Sequence, residues 1–248
     1  MRILVTAGNT QTPVDQVRCI TNIFTGRTGA RIAEAAWARG HEVTLATSHP
    51  EVVTSSGERA ITVRVFRTFA ELERLLADMV PTGGFDAIIH AAAVSDFDVA
   101  GVYAPTPSAR FDAESVMWHG PPPQLHDVRQ GKVKSHHSEL WFRLTPTPKL
   151  VDCMRSAWGF TGLLVKFKLE VGVEESELVA VAEASRRQSL ANLMVANTLE
   201  ERHAAAWIGP VAGSYLKLPR ADLPRRLLDE VERGVASVPA FTEGQPLS

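Results

Sequence analysis

Cysteine is almost absent. Cys19 and Cys153 are the only two in 248 residues, far apart and in no metal-ligand spacing. That excludes a disulfide scaffold and a zinc-finger pattern, and it fits a reducing, cytoplasmic setting. Long apolar runs are missing as well: none approaches the roughly 20 residues that span a bilayer. Met1-Arg2 leads straight into a strand-like segment rather than a signal peptide, so no membrane association is expected. Excess charge is missing too. With a net charge of -2 and 22% charged residues, nothing draws the chain to nucleic acid. Tyr103 and Tyr215 are the only tyrosines. Neither has a lysine four positions on, so the Tyr/Lys pair of a short-chain dehydrogenase is absent. There is no G-x-x-x-x-G-K-[ST], no G-x-G-x-x-G after the first strand and no G-x-S-x-G. Their absence sets aside a P-loop NTPase, disfavours a standard dinucleotide site and removes a nucleophile elbow.

What is present is an alternation of strand and helix patterns. It predicts an α/β fold: a Rossmann-like, open, mostly parallel sheet with helices on both faces. Hydrophobic residues make up 45%, enough for one sizeable core, so residues 1–248 are read as a single domain. Strands are expected over Ile3–Ala7, Glu42–Ala46, Ile61–Val65, Asp86–Ala91, Glu139–Leu144, Leu163–Phe167 and Leu193–Ala196. A hairpin is expected from Ala205–Ile208 and Tyr215–Leu218. Helices are expected over Ala30–Arg39, Phe69–Val80 (stopped by Pro81), Thr147 to about Trp158, Glu174–Leu190 and about Asp222–Gly234, with fraying after Val235. Residues 97–131 hold several prolines and no sustained period. They read as a long irregular insertion, a lid or a dimer arm.

The stretch around which the chain is organised runs from Gly8 to Gly29. An apolar strand, a glycine-punctuated loop and an alanine-rich helix form the usual cradle for a phosphate. Gly26 and Gly29 let an anion approach the main chain; Arg18 and Asn22 lie in the same loop. The structural alternative is a strand–loop–helix corner with no ligand. Ligands of open α/β sheets bind at the carboxyl ends of the strands. Four such ends carry suggestive groups: the Gly8 loop, Ala92 to Asp96, Phe167-Lys168 and Asn197. They are expected to converge on one crevice. His90 reads as a buried, satisfied histidine, Cys19 as packing, and His136-His137-x-Glu139 as a weak metal candidate.

The ordered motifs T-A-G-N-T (6–10), P-V-D-x-V-R-x-I-T-N (13–22), T-G-R-x-G (25–29), A-A-A-V-S-D (91–96), G-K-V-K-S (131–135), F-K-L-E (167–170) and V-A-N (195–197) closely resemble the phosphopantothenate–cysteine ligase family. The resemblance covers Leu4 to Asn197. It implies a step of coenzyme A synthesis, in which the carboxylate of 4′-phosphopantothenate attacks a nucleoside triphosphate. Cysteine then displaces the nucleotide from the acyl-nucleotide to form an amide. ATP or CTP is implied as co-substrate, with Mg²⁺ and without flavin. By the same resemblance Asn22 handles the acyl-nucleotide, and Lys132, with Lys134 nearby, stabilises charge at the α-phosphate. Arg18 reaches the substrate phosphate of a neighbouring subunit, which implies a homodimer with shared sites. Ala92 and Ala93 face pantothenate, and Asp96 lies between substrate and nucleotide. Gly8, Gly26, Gly29, Phe167 and Asn197 contact the nucleotide.

The sequence departs from the family in a longer 97–131 insertion, in Cys19 where the family carries an aromatic, and in one helix. The CTP-using branch carries two lysines on the helix before V-A-N, where this chain has Ser185 and Ser189, while F-K-L-E and A-N-x-L-E look more like the ATP-using branch. Two other classes stay open: a non-catalytic or altered-specificity paralogue, and a nicotinamide-dependent oxidoreductase.

Overall fold

The computed structural model describes residues 1–53, 60–108, 110–121, 124–129 and 131–237. In chain order its elements are β1 (Arg2–Ala7), β2 (Gln11–Pro13), β3 (Cys19–Thr21), α1 (Arg27–Ala38), β4 (Glu42–Thr47), β5 (Thr62–Val65), α2 (Phe69–Thr82), β6 (Ala87–His90), β7 (Phe97–Pro105), β8 (Arg110–Asp112), β9 (Met117–His119), β10 (Leu125–Asp127), β11 (Trp141–Pro146), α3 (Leu150–Ser156), β12 (Leu163–Glu170), α4 (Glu175–Gln188), β13 (Leu193–Thr198), β14 (Ala205–Val211), β15 (Ser214–Pro219) and α5 (Leu223–Ser237).

Eight strands form one sheet in the order β15-β14-β13-β12-β6-β1-β4-β5. It is parallel from β13 to β5, and the β14–β15 hairpin adds an antiparallel edge. Helices cover both faces, so the central strands are apolar on both sides rather than alternating. Ile3, Val5, Ile89, Val165 and Val195 pack beneath α1 and α5, against Ile32, Ala33, Leu227 and Leu228. Leu4, Ile88 and Leu164 point the other way, onto Leu72 and Leu76 of α2 and Leu150 and Met154 of α3. On that second face α4 lays Leu178 and Ala182 on Met194, Ala196 and Trp207. This parity of side chains along each strand decides later which site residues share a face. Among the described residues no helix is long and apolar enough to cross a membrane.

The Rossmann-like architecture is as expected; the details differ in several places. Segment 97–131 is not irregular. Its described part forms β7, β10 and the β8–β9 hairpin, and β7 is the centre of a three-stranded antiparallel sheet, β10-β7-β11. A register shift between Arg143 and Leu144 breaks the period of β11 against β7, and Gly101 and Val102 are buried consecutively. A strand bent by a bulge loses the two-residue alternation by which it is recognised. This small sheet has its own core of Val14, Val99, Val102, Ala104, Val128 and Val133. Pro122 and Pro123 lie outside the described residues, as does the tail after Ser237, to which α5 extends.

The Gly8–Gly29 stretch is not a plain loop either, since β2 and β3 pair within it, Gln11 opposite Thr21. All three residues of β3 are exposed, so Cys19 is a surface thiol rather than a packing residue. Finally, α2 runs through Pro81 to Thr82. In the last turn a proline deletes only one ladder bond, and the Gly83 amide closes on Met79 O at 2.7 Å.

Candidate active site

β1 hands the chain through α1 to β4 on one side, and β6 returns on its other side. The carboxyl ends of β1 and β6 therefore bound the crevice at which such sheets bind ligands. Main-chain atoms close its base. The Ala93 amide donates to Gly8 O at 2.8 Å, and the Thr10 amide donates to Ala93 O at 3.2 Å. Asn22 Nδ2 donates to the same Ala93 oxygen at 3.2 Å, and Asn9 Nδ2 holds the Asn22 carbonyl. Asn9, buried and bonded in turn to Ser48 Oγ and His49 Nε2, is the scaffold of Asn22. Sequence reading did not single it out, although it directly follows Gly8. Gly8, Asn22 and Ala93 thus come together.

The glycines have physical reasons for being glycines. Gly8 and Gly26 have φ of +86° and +78°, and a Cβ on Gly26 would lie 2.2 Å from Gly8 N. A Cβ on Gly29 would lie 2.7 Å from Ala7 Cβ. The start of α1 is thereby pressed against the end of β1. Its first turn has no acidic residue and Gly26 offers no side-chain cap, which leaves its free amides for an anion. By strand parity Phe167 and Asn197 belong to this α1/α5 face. Phe167 packs partly buried on its core, and Asn197 is buried at the end of β13.

Asp96 lies on the opposite face, in a cavity of about 130 Å³ whose walls include His90, Ala92, Asp96, Lys149 and Lys166. Lys149 pairs with Asp96. Lys166 Nζ donates to Ser189 Oγ and to Ser185 O, and Ser189 Oγ donates onward to Asp152. Burial lowers the Lys166 pKa. Burial, reinforced by the Lys166 charge, takes His90 down to about 4, a neutral imidazole bonded through Nδ1 to Thr6 Oγ1 at 3.0 Å. Ser185 and Ser189 therefore receive a cation from strand β12. Nothing in the sequence ties Lys166 to that helix.

Arg18 and Lys132 form a separate grouping beside the β2–β3 hairpin. Arg18 binds Asp15 through Nε and Nη2, at 3.0 and 2.5 Å, and reaches Val133 O at 2.8 Å. The Val133 amide donates to Asp15 Oδ2 at 3.0 Å, and the Gln16 amide to Gly131 O at 3.1 Å. The Arg18 guanidinium, with the Val17, Val133 and Arg18 amides, holds the Asp15 carboxyl far below the usual carboxylate range. These bonds fix the backbone on either side of Lys132, whose side chain is exposed. Among the described residues no hydrogen bond or ion pair joins Lys132 to Asn22 or Asp96. His136 and His137 lie side by side with tilted rings, and among the described residues no group of three or more His, Cys, Asp or Glu could hold a metal.

An open α/β sheet with a close-packed glycine corner at its switch point defines the class, a Rossmann-like protein. Comparison with known proteins narrows this. Residues 1–105 match the family described as DNA/pantothenate metabolism flavoprotein C-terminal domain. Over 237 residues the chain is 32% identical to the coenzyme A biosynthesis bifunctional protein CoaBC of Thermococcus kodakarensis, covering 94% of this chain and 51% of that protein. The crystal structure of the DNA/pantothenate metabolism flavoprotein from Streptococcus pneumoniae is similar with a TM-score of 0.77 at 25% identity, covering 94% of this chain and 99% of that one. A Cab2 variant in complex with phosphopantothenate-cysteine shares the fold, with a TM-score of 0.65 at 20% identity over 95% of this chain and 87% of that one. These matches support the resemblance to the phosphopantothenate–cysteine ligase family that the motifs carry. It spans about half the length of the curated relatives it matches.

Proposed function

We propose that this chain joins 4′-phosphopantothenate to cysteine through an acyl-nucleotide, with ATP or CTP as co-substrate. The observation that carries the reading is the position of Asn22. Its amide is held on Ala93 O at the mouth of the crevice, between the Gly8–Gly26 cradle and the strand end that leads to Asp96. A carboxylate is a poor electrophile, so the reaction needs a leaving group and neutralised charge more than a protein nucleophile. In this reading Gly8, Gly26 and Gly29 cradle phosphate, and Phe167 and Asn197 hold the nucleoside. Ala92, Ala93 and Asp96 position the acyl substrate, Asn22 orients the acyl-nucleotide, and Lys132 stabilises charge at the α-phosphate. Mg²⁺ enters with the triphosphate as part of the co-substrate.

Arg18 is the proposed ligand of a neighbouring subunit's substrate phosphate in a cytoplasmic homodimer. To serve there it shares its fork between Asp15 and that phosphate. The test is direct. The chain is incubated with phosphopantothenate, cysteine, Mg²⁺ and either nucleotide, and pyrophosphate and the amide product are followed. The expected result is stoichiometric pyrophosphate and amide with one nucleotide preferred. Ligand binding without turnover would favour the altered-specificity paralogue, and neither binding nor turnover would refute the ligase.

A further inference from the structure

Two arginines are withdrawn from water far enough for burial to lower their pKa: Arg155 and Arg220. Among the described residues neither has a carboxylate partner. Arg155 is accounted for structurally. It donates to Leu190 O at 3.3 Å, Phe160 O at 2.7 Å, Gly162 O at 2.8 Å and Asn192 Oδ1 at 2.6 Å. Arg220 is not. It donates to Thr28 Oγ1 at 2.7 Å and to Asn197 Oδ1 at 3.5 Å, the second at the outer limit of a hydrogen bond. A guanidinium has five N–H donors, so most of this one's capacity is unused.

The surroundings sharpen the imbalance. The charge that acts on Arg220 is Arg31, and it has the same sign. A half-buried cation with neutral partners and a like charge beside it is costly unless an anion arrives. The two partners also fix the place. Thr28 lies between Gly26 and Gly29, and Asn197 is the penultimate residue of β13. Both flank the proposed nucleotide site, whereas Arg220 comes from the β15–α5 junction, beyond residues 1–105 of the family match.

We propose that Arg220 is a phosphate ligand of the nucleotide co-substrate, reaching over the polyphosphate from the C-terminal hairpin while Gly26 and Gly29 receive it from the β1–α1 corner. This rests on the nucleotide reading given above. A planar fork suits a polyphosphate because it binds two oxygens at once.

The experiment measures binding of inorganic tripolyphosphate, and of ATP and CTP with Mg²⁺, to the full chain and to its R220Q and R220K variants by titration calorimetry. A charge-assisted hydrogen bond removed from the site corresponds to a rise in Kd of about ten-fold or more. R220Q is expected to show it for tripolyphosphate and nucleotide, with phosphopantothenate binding unchanged. R220K is expected to recover part of the loss, because it restores the charge but not the fork, and it serves alone if R220Q fails to fold. Tripolyphosphate and nucleotide affinities within two-fold of the parent in both variants, or a parent that binds no tripolyphosphate, overturn the inference. The ligase reading fails separately. A parent that binds tripolyphosphate through Arg220 but makes no pyrophosphate from phosphopantothenate and cysteine keeps the inference and loses the enzyme.

Discussion

Replacing Gly26 by alanine tests whether the cradle is a fitted joint or a loose corner. Two costs arise. Gly26 sits at φ +78°, where a Cβ costs about 1–2 kcal/mol. The new methyl would also meet Gly8 N at 2.2 Å, Gly8 Cα at 2.7 Å and Ala7 C at 3.0 Å, all of them main-chain atoms that no rotamer can move. Overpacking of that kind costs about 1–3 kcal/mol. Reduced freedom of the unfolded chain returns about 0.4–1 kcal/mol. The expected loss is about 2–4 kcal/mol, or roughly 5–15 °C in Tm for a chain of this size. Gly40→Ala is the control. Its φ of +85° matches, but nothing lies within 4 Å of the added Cβ, so it reports the backbone cost alone, about 1 kcal/mol. Gly29→Ala reports the converse, a contact of 2.7 Å with Ala7 Cβ at ordinary φ. Thermal unfolding of the three variants, followed by nucleotide titration of those still folded at 25 °C, separates the contributions. If Gly26→Ala melts within about 2 °C of Gly40→Ala and binds nucleotide like the parent, the close approach of α1 to β1 is not what shapes the cradle.

Asn22→Asp replaces a donor to Ala93 O with a carboxylate that repels it. Acyl-nucleotide is expected to accumulate while amide formation falls about 10²-fold, as mass spectrometry of quenched reactions would show; unchanged product formation removes Asn22 from its role. Lys132→Ala removes an exposed ammonium, so Tm should hold while pyrophosphate release slows by about 10²-fold; an unaltered rate would take Lys132 out of the chemistry. His90 titrates near 4 in the folded chain against 6.5 ordinarily. Between those values the unfolded chain binds the extra proton, so stability falls as pH drops through that window, by about 3 kcal/mol for this group. His90→Gln should flatten the acid limb of a stability-versus-pH curve between about pH 6.5 and 4, and an acid limb parallel to the parent's would contradict a neutral buried imidazole.

The parallel sheet could be read from sequence because its central strands are short apolar runs between glycine and helix signals, as in Ile3–Ala7 and Leu163–Phe167. Of the β10-β7-β11 sheet only β11 could, from the alternation of Glu139–Leu144; in β7 the extra residue Ala100, opposite the Arg143/Leu144 step, and the prolines of 97–131 erased the period. The cradle residues announced themselves by type, glycines and an asparagine in one loop after a strand. Asp15, Lys149, Lys166 and Arg220 did not, since each acts on residues distant in the chain: Val133, Asp96, Ser189, and Thr28 with Asn197. A charged residue on an unremarkable element has no local signature of the partner it will meet. His90 was the easier case, because an ionisable side chain inside an apolar strand can only be buried and satisfied.

The seam between Gly8 and Ala93 is fastened first by peptide groups, with bonds from the Asn22 and Thr10 side chains added around them. The peptide bonds remain whatever those side chains become, provided that Gly8 stays small. A protein fastened in this way is free to change what it holds while keeping the grip: selection can rewrite the neighbours of the crevice for a different nucleotide or acid, and the frame that receives them survives each revision.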